Sequence, residues 1–237
     1  MTNQSNRTAV ITGAGDGIGR ALAINLNSRG IDLYLCDIDR ERLDATAGML
    51  NSDGVTVSTA VVDCGNREQI ETWAEMICAE NDSLDFLFNN AGVGYASPFR
   101  DASLENFEWL MNINYWGVVW STKAFLPLLE ASPAGHLVNI SSIFGMVGIA
   151  TQSAYNSAKF AVRGFTESLQ AEYWDSPLTV TCVHPGGITT NIALRARTDG
   201  EAADVSDAER DQAFKQVART TPEKAAQVIL KGTLAGR

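Results

Sequence analysis

Histidine is scarce in this chain of 237 residues. His136 and His184 are the only two, and neither stands at ligand spacing from a cysteine or carboxylate, so no metal site is predicted. His184 directly precedes a Pro-Gly turn and stays open as a residue lining a pocket. The four cysteines, Cys36, Cys64, Cys78 and Cys182, are scattered without a CxxC pair. That pattern suits free thiols in a reducing compartment, and the cytoplasm is the expected location. No GxSxG elbow accompanies the serines, which argues against a hydrolase. Blocks of lysine or arginine are also missing: 18 basic against 28 acidic residues leave a net charge of −10. Phosphates would be repelled, which excludes a general nucleic-acid or anionic-membrane surface. No run is long and apolar enough to span a bilayer. The opening "MTNQSNRTAVITG" lacks the apolar core of a signal peptide. With no repeat, low-complexity tract or linker, residues 1–237 read as one domain, large enough to bury a substantial core.

What is present is alternation. Short apolar runs at 8–12, 32–37, 55–63, 84–90, 136–142 and 178–187 are separated by longer amphipathic segments. These include "REQIETWAEMICAE" and a long helix beginning near Ser103. The pattern predicts βαβ units and a doubly wound α/β fold, with a parallel sheet covered by helices on both faces. Residues 190–219 break the rhythm: polar, long for a connection and only marginally helical, they are expected to form a lid-like insertion.

The chemistry-bearing motifs fall at the carboxyl ends of the expected strands, where open parallel sheets bind ligands. "TGAGDGIG" (12–19) joins the first strand to a helix. It departs from GxGxxG and instead spaces its glycines as GxxxGxG through Gly13, Gly17 and Gly19. Such a turn lets backbone approach a pyrophosphate at a helix N-terminus. Asp37 closes the second strand, where a carboxylate can accept from both ribose hydroxyls of an adenosine and would repel a 2′-phosphate. Asp16, acidic and within the turn, points the same way. "FNNAG" (88–92) ends the fourth strand and "NISS" the fifth. In "SAYNSAKFAVRGF" (153–165), Tyr155 and Lys159 are one helical turn apart. Taken singly, each has a plain alternative: a surface helix pair, a cap at Ser142, a buried amide at Asn114.

Together these motifs make the chain resemble the short-chain dehydrogenase/reductase family of NAD(P)-dependent enzymes over nearly all of residues 7–237. The resemblance is carried by the glycine turn at Thr12–Gly19, the NNAG at Asn89–Gly92, Asn114, Ser142, the YxxxK of Tyr155 and Lys159, and Pro185, Gly186 and Thr190. It implies one Rossmann-type domain with strand order 3-2-1-4-5-6. Family members usually add a seventh strand after the last helix, which this sequence does not supply. Catalytic roles are implied for Asn114, Ser142, Tyr155 and Lys159. Tyr155 would be the general acid/base, its phenol pKa of about 10 lowered by the Lys159 ammonium. Ser142 would polarise the substrate oxygen, and Asn114 would hold a water linking Lys159 to solvent. The implied cofactor contacts are Gly13, Asp16, Gly17, Ile18, Gly19, Asp37, Asp63, Asn90, Tyr155, Lys159, Ile188 and Thr190, with NAD favoured over NADP.

The segments expected around the reacting carbon, "IFGMVGIA" (143–150) and "GYASP" (94–98), are mostly apolar, with Tyr95, Phe144 and Met146 bulky. They favour an apolar secondary alcohol or ketone. Two alternatives stay open: an NADPH-dependent carbonyl reductase, and a non-catalytic dinucleotide-sensing protein. Two helices carry surplus apolar positions (Trp109, Trp116, Trp120, Phe160, Phe165, Trp174), and the resemblance implies that these helices pack against a second subunit, so a homodimer or homotetramer is expected.

Overall fold

A computed structural model describes residues 6–236; readings that touch Met1–Ser5 or Arg237 lie outside the described residues. Six strands form one parallel sheet: β1 (Thr8–Thr12), β2 (Asp32–Asp37), β3 (Val57–Val61), β4 (Phe86–Asn89), β6 (His136–Ile140) and β7 (Thr179–Val183), in the order β3-β2-β1-β4-β6-β7. This is the expected order. Its numbering differs only because a two-residue strand, β5 (Tyr95–Ala96), stands outside the sheet. Among the described residues no strand follows the last helix, and β3 and β7 are the sheet edges.

Side chains alternate across the pleat, so each strand feeds two cores. Ala9 and Ile11 of β1 pack with Leu33, Leu35, Phe86 and Phe88 against α1 (Gly17–Asn27) and α8 (Pro222–Leu234). Val10 faces the other way, with Leu87 and Leu137, toward α3 (Arg67–Glu80), α5 (Gly117–Ala131) and α6 (Ser153–Glu172). Both faces are covered, which explains the near-continuous apolar runs. Side-chain acceptors cap the helices at their starts: Asp39 for α2 (Arg40–Ala47), Asn66 for α3 and Ser103 for α4 (Leu104–Met111).

Two segments depart from expectation. The long helix from Ser103 is interrupted: after α4, residues Asn112–Trp116 form a π turn, closed by the Gly117 amide donating to the Asn112 carbonyl, before α5 begins. At Gly117 a Cβ would stand 2.5 Å from the Cys64 carbonyl oxygen, so the helix is pressed on the loop after β3. The extra residue of a π turn re-aims the side chains around it. Here Asn114 is turned fully inward. Residues 190–219, expected to be marginally helical, hold β8 (Arg197–Thr198), paired parallel with β5, a 3₁₀ turn (Gly200–Asp204) and α7 (Asp207–Val217). Ser206 and Glu209 close a capping box that starts α7 despite its weak amphipathicity.

Candidate active site

The glycine turn leaves β1 tightly folded. Gly13 has φ +65°, and a Cβ there would come within 2.8 Å of the Ala91 Cα, so only glycine fits between β1 and the loop after β4. Asn90 stitches that junction: its Nδ2 donates to the carbonyls of Thr12 (3.0 Å) and Gly13 (3.1 Å). Thr12 Oγ1 accepts from the amides of Asn90 and Ala91 in return. Asn90, expected among the cofactor contacts, thus spends its side chain on holding the turn. Asn89 reaches sideways instead, to Thr122 Oγ1 (2.9 Å) and Asn139 Oδ1 (2.8 Å), and Asn139 continues to Thr166 Oγ1 (3.0 Å). This buried amide chain ties β4 and β6 to α5 and α6.

Asp37 lies against the turn. Its Oδ2 accepts from the Gly15 amide (2.9 Å) and its Oδ1 from the Asp39 amide (3.0 Å). Each oxygen keeps a lone pair for a further donor. Asp16 does not join it: Oδ1 accepts from Gly17 N (2.8 Å), while Oδ2 takes Asn191 (2.7 Å) and Arg195 (2.9 Å) from the 190s segment. The basic group beside Asp37 is Arg42, whose Cβ borders Gly15 and whose Nε is held by Asp39 at 2.6 Å. Arg40 points instead to Asp44. Asp63 lies two residues beyond β3, its Oδ1 accepting from Gly65 N (2.8 Å). Ile188 is buried and bridged to Thr220, and the Thr190 side chain meets the space above Gly17.

Ser142 and Tyr155 meet across the loop from β6 to α6. Ser142 Oγ accepts from Phe144 N (3.1 Å) and lies near enough to the Tyr155 hydroxyl to favour its ionised form, while the ring of Phe144 stands edge-on to Tyr155. Asn156, unremarked in the sequence, sits between Tyr155 and Lys159 and holds the loop. It donates to the carbonyls of Phe144 (2.6 Å) and Val147 (2.8 Å) and accepts from Ile149 N (3.1 Å). A short amide inside the YxxxK spacing was the available signal. His184 Nδ1 is 3.1 Å from the Ser142 carbonyl, so it borders the site. His136 stacks on Phe86 at the opposite end of the sheet.

Lys159 is 3% exposed, with Nζ donating to the Ile140 carbonyl at 2.9 Å and lying 5.7 Å from the centre of the Tyr155 ring. Gly92 leaves room in front of it: a Cβ there would sit 3.3 Å from Asn114 Oδ1 and 3.6 Å from Lys159 Nζ. Asn114 itself exchanges two hydrogen bonds with the Val93 backbone (2.8 and 2.9 Å). The expected lowering of the Tyr155 pKa by Lys159 is not found. Burial pushes the phenol up to about 12, with the Ser142 hydrogen bond pulling the other way. Burial also brings the Lys159 ammonium down to about 8. In this low-dielectric surround desolvation is the largest influence on both groups.

A nicotinamide dinucleotide fits these groups. Asp37 offers acceptors to a ribose at one end of the crevice. The first-turn amides of α1 can receive a diphosphate. At the other end Lys159, an ammonium with three donors and one protein acceptor, has hydrogens to give. A doubly wound parallel sheet with a glycine turn, a strand-end aspartate and a Ser–Tyr–Lys set at the carboxyl ends of its strands has the make-up of a dinucleotide-type oxidoreductase site.

Comparison with known proteins carries this further. A sequence model of the short chain dehydrogenase family matches residues 7–201. The oxidoreductase named SadH of Mycobacterium tuberculosis is 41% identical over 244 residues, covering 100% of this chain and 86% of its own. Among solved structures, a short chain dehydrogenase/reductase from Burkholderia phymatum in complex with NAD superposes with a TM-score of 0.86 at 26% identity, covering 100% of this chain and 89% of that one. The closed form of serine dehydrogenase complexed with NADP+ gives 0.83 at 26%, covering 94% and 88%. The chain belongs to the short chain dehydrogenase/reductase family and is an oxidoreductase.

Proposed function

We propose that the protein interconverts an apolar secondary alcohol and its ketone with NAD, Tyr155 acting as acid/base. The observation that carries this reading is Tyr155 beside Ser142 with a buried Lys159 one helical turn on, at the same end of the sheet as the glycine turn. A bound nicotinamide supplies or accepts the hydride at the substrate carbon. In the reducing direction the Tyr155 O–H bond breaks and its proton goes to the carbonyl oxygen as that carbon is reduced to an alcohol. A phenol held neutral by burial is suited to donating. Ser142 donates to the same oxygen and orients it. Lys159, with its pKa lowered toward neutrality, can return a proton to the phenolate, and Asn114 lines the path through Gly92. Ile143, Met146, Val147 and Ile149, exposed beyond Ser142, make the approach apolar.

The preference for NAD rests on Asp37. An NADPH-dependent reductase is the second reading, favoured by Arg42 beside Gly15 and by a tyrosine poised as an acid. Residues 190–219 are taken as a lid over the crevice. The free thiols suit action in the cytoplasm, and among the described residues no helix is long and apolar enough to cross a membrane. The assembly proposed is a homodimer or homotetramer. Of the six apolar positions expected at its interface, Trp109 is covered by Arg197 and Phe165 packs into the core. Trp116, Phe160 and Trp174 remain exposed, the last at 81%. Absorbance at 340 nm with a panel of apolar ketones and NADH or NADPH tests the reaction; no turnover with any member would leave the non-catalytic sensor.

A further inference from the structure

The segment beyond Thr190 crosses the glycine turn and is held at its two ends by bonds of different kinds. At the far end Asp199 is an anchor. Its carboxylate accepts from Tyr95 Oη (2.6 Å), Ser103 N (3.0 Å), Ser103 Oγ (2.8 Å) and Asn106 Nδ2 (3.1 Å). Arg197 adds a bond to Asn106 Oδ1 (2.9 Å) and lies 3.7 Å over the Trp109 ring, while β8 pairs with β5. At the near end the hold is ionic and open to solvent. Asn191 and Arg195, joined in one turn by Arg195 N donating to the Asn191 carbonyl, both reach Asp16 Oδ2 at 2.7 and 2.9 Å. The side chains of Arg195 and Asp16 are 44% and 27% exposed. Arg195 is also close enough to Asp39, the cap of α2, to help keep that carboxyl ionised after the Arg42 hydrogen bonds do so. The guanidinium therefore sits at the N-terminus of α1, within electrostatic reach of the N-terminus of α2.

We propose that Asp16, Asn191 and Arg195 form a latch that holds residues 190–196 closed across the glycine turn, hinged on the Asp199 anchor, so that a dinucleotide arrives and leaves only when the latch opens. The ligand's identity rests on the function proposed above; the latch itself does not. Asp16 serves it without a change of backbone, because one oxygen caps α1 and the other holds Arg195. A single exposed ion pair is weak and screened by salt, whereas Asp199 is held by several short, part-buried hydrogen bonds at once, which salt screens less. The near end should therefore open first, as low-stability segments do.

Hydrogen exchange of the protein without ligand tests this directly, read on peptides covering 189–199. Their amides include Ala196 and Arg197, which donate to the Ala193 and Gly94 carbonyls. At 20 mM salt, Arg195→Gln should raise exchange there about two- to fivefold, the span expected for one exposed pair. Arg195→Lys should restore part of the protection. Raising salt to 500 mM should loosen the wild type and leave Arg195→Gln unmoved, with peptides over 95–106 unchanged in every case. Equal exchange in wild type and Arg195→Gln at low salt would overturn the latch. Stopped-flow fluorescence with NADH then separates a gate from a ligand: Arg195→Gln should raise the association and dissociation rates together. A rise in dissociation alone, with association unchanged or slower, would make Arg195 a plain anion contact and overturn the gate. Absence of any NADH signal would count against the dinucleotide reading, and the exchange result would still decide the latch.

Discussion

Replacing Asp37 with serine should change which nicotinamide cofactor the protein prefers. The carboxylate cannot swing away from an incoming 2′-phosphate, because the Gly15 amide at 2.9 Å and the Asp39 amide at 3.0 Å pin one oxygen each. A like charge about 5 Å away at an effective dielectric near 20 repels by about 3 kcal/mol. Arg42 offsets part of this, but its guanidinium is already held by Asp39 at 2.6 Å. A net penalty of about 1.5–3 kcal/mol on NADP corresponds to roughly 10- to 100-fold in affinity. Asp37→Ser should remove that penalty and also cost NAD about 30-fold, through two ribose hydrogen bonds worth about 1 kcal/mol each. Asp37→Asn separates the two effects, since it removes the charge but keeps an acceptor. The assay is kcat/KM for both cofactors in all three proteins, with circular dichroism to verify folding. In the serine variant, Arg42→Ala should take back the gain in NADP if that arginine is freed to meet the phosphate. A wild type that prefers NADP, or a ratio that moves less than about threefold in both variants, would show that Asp37 merely ties the strand end to the glycine turn.

Other perturbations probe the supporting structure. Asp199→Ala strands the donors of Tyr95, Ser103 and Asn106 and should cost about 2 kcal/mol after allowing for solvent, a fall in Tm of about 4–8 °C. The Tyr95 hydrogen bond and those beside it hold this carboxyl well below the usual range. Its contribution is therefore full above about pH 4 and lost as pH falls toward the folded value; a variant within 1 °C of wild type at neutral pH would refute the anchor. Lys159→Met should be more stable than wild type below about pH 8, by up to about 3 kcal/mol, because burial brings this ammonium from 10.5 to about 8. The unfolded chain binds the extra proton between those values, so the advantage should vanish by about pH 10.5, and a difference independent of pH would contradict it. Sedimentation at micromolar concentration should give a dimer or tetramer, weakened by Trp174→Ser, whose ring is 81% exposed; a monomeric wild type would rule the interface out.

Much of the fold is legible because burial on both faces writes itself into short apolar runs. Strands 8–12 and 32–37 and helix 67–80 stand where the sequence pattern puts them. The glycine turn, Ser142, Tyr155 and Lys159 are legible through spacing, and they lie toward the carboxyl ends of the parallel strands. What escapes the sequence is decided by contacts between distant polar residues. Asn191 and Arg195 carry no periodic signal, and their pairing with Asp16 arises only when 175 or more residues of chain bring the two segments together. The Asp199 cluster and the β5–β8 pair are of the same kind. The π turn at 112–116 and the tight seat of Gly117 beside the Cys64 carbonyl, where a Cβ has no room, are likewise not encoded in any helical pattern. The phenol is a different case: helix spacing puts a cation near Tyr155, whereas burial, which spacing does not reveal, pushes its pKa up.

The most direct test of Tyr155 as the acid/base is the turnover of Tyr155→Phe with any ketone or alcohol the wild type accepts, measured beside cofactor binding by fluorescence. Phenylalanine keeps the ring against Phe144 and removes only the hydroxyl that meets Ser142. The expected result is a loss of about 10²–10⁴ in kcat with the Kd for NADH changed less than about threefold. A variant that retains wild-type turnover while binding cofactor normally would contradict the assignment outright.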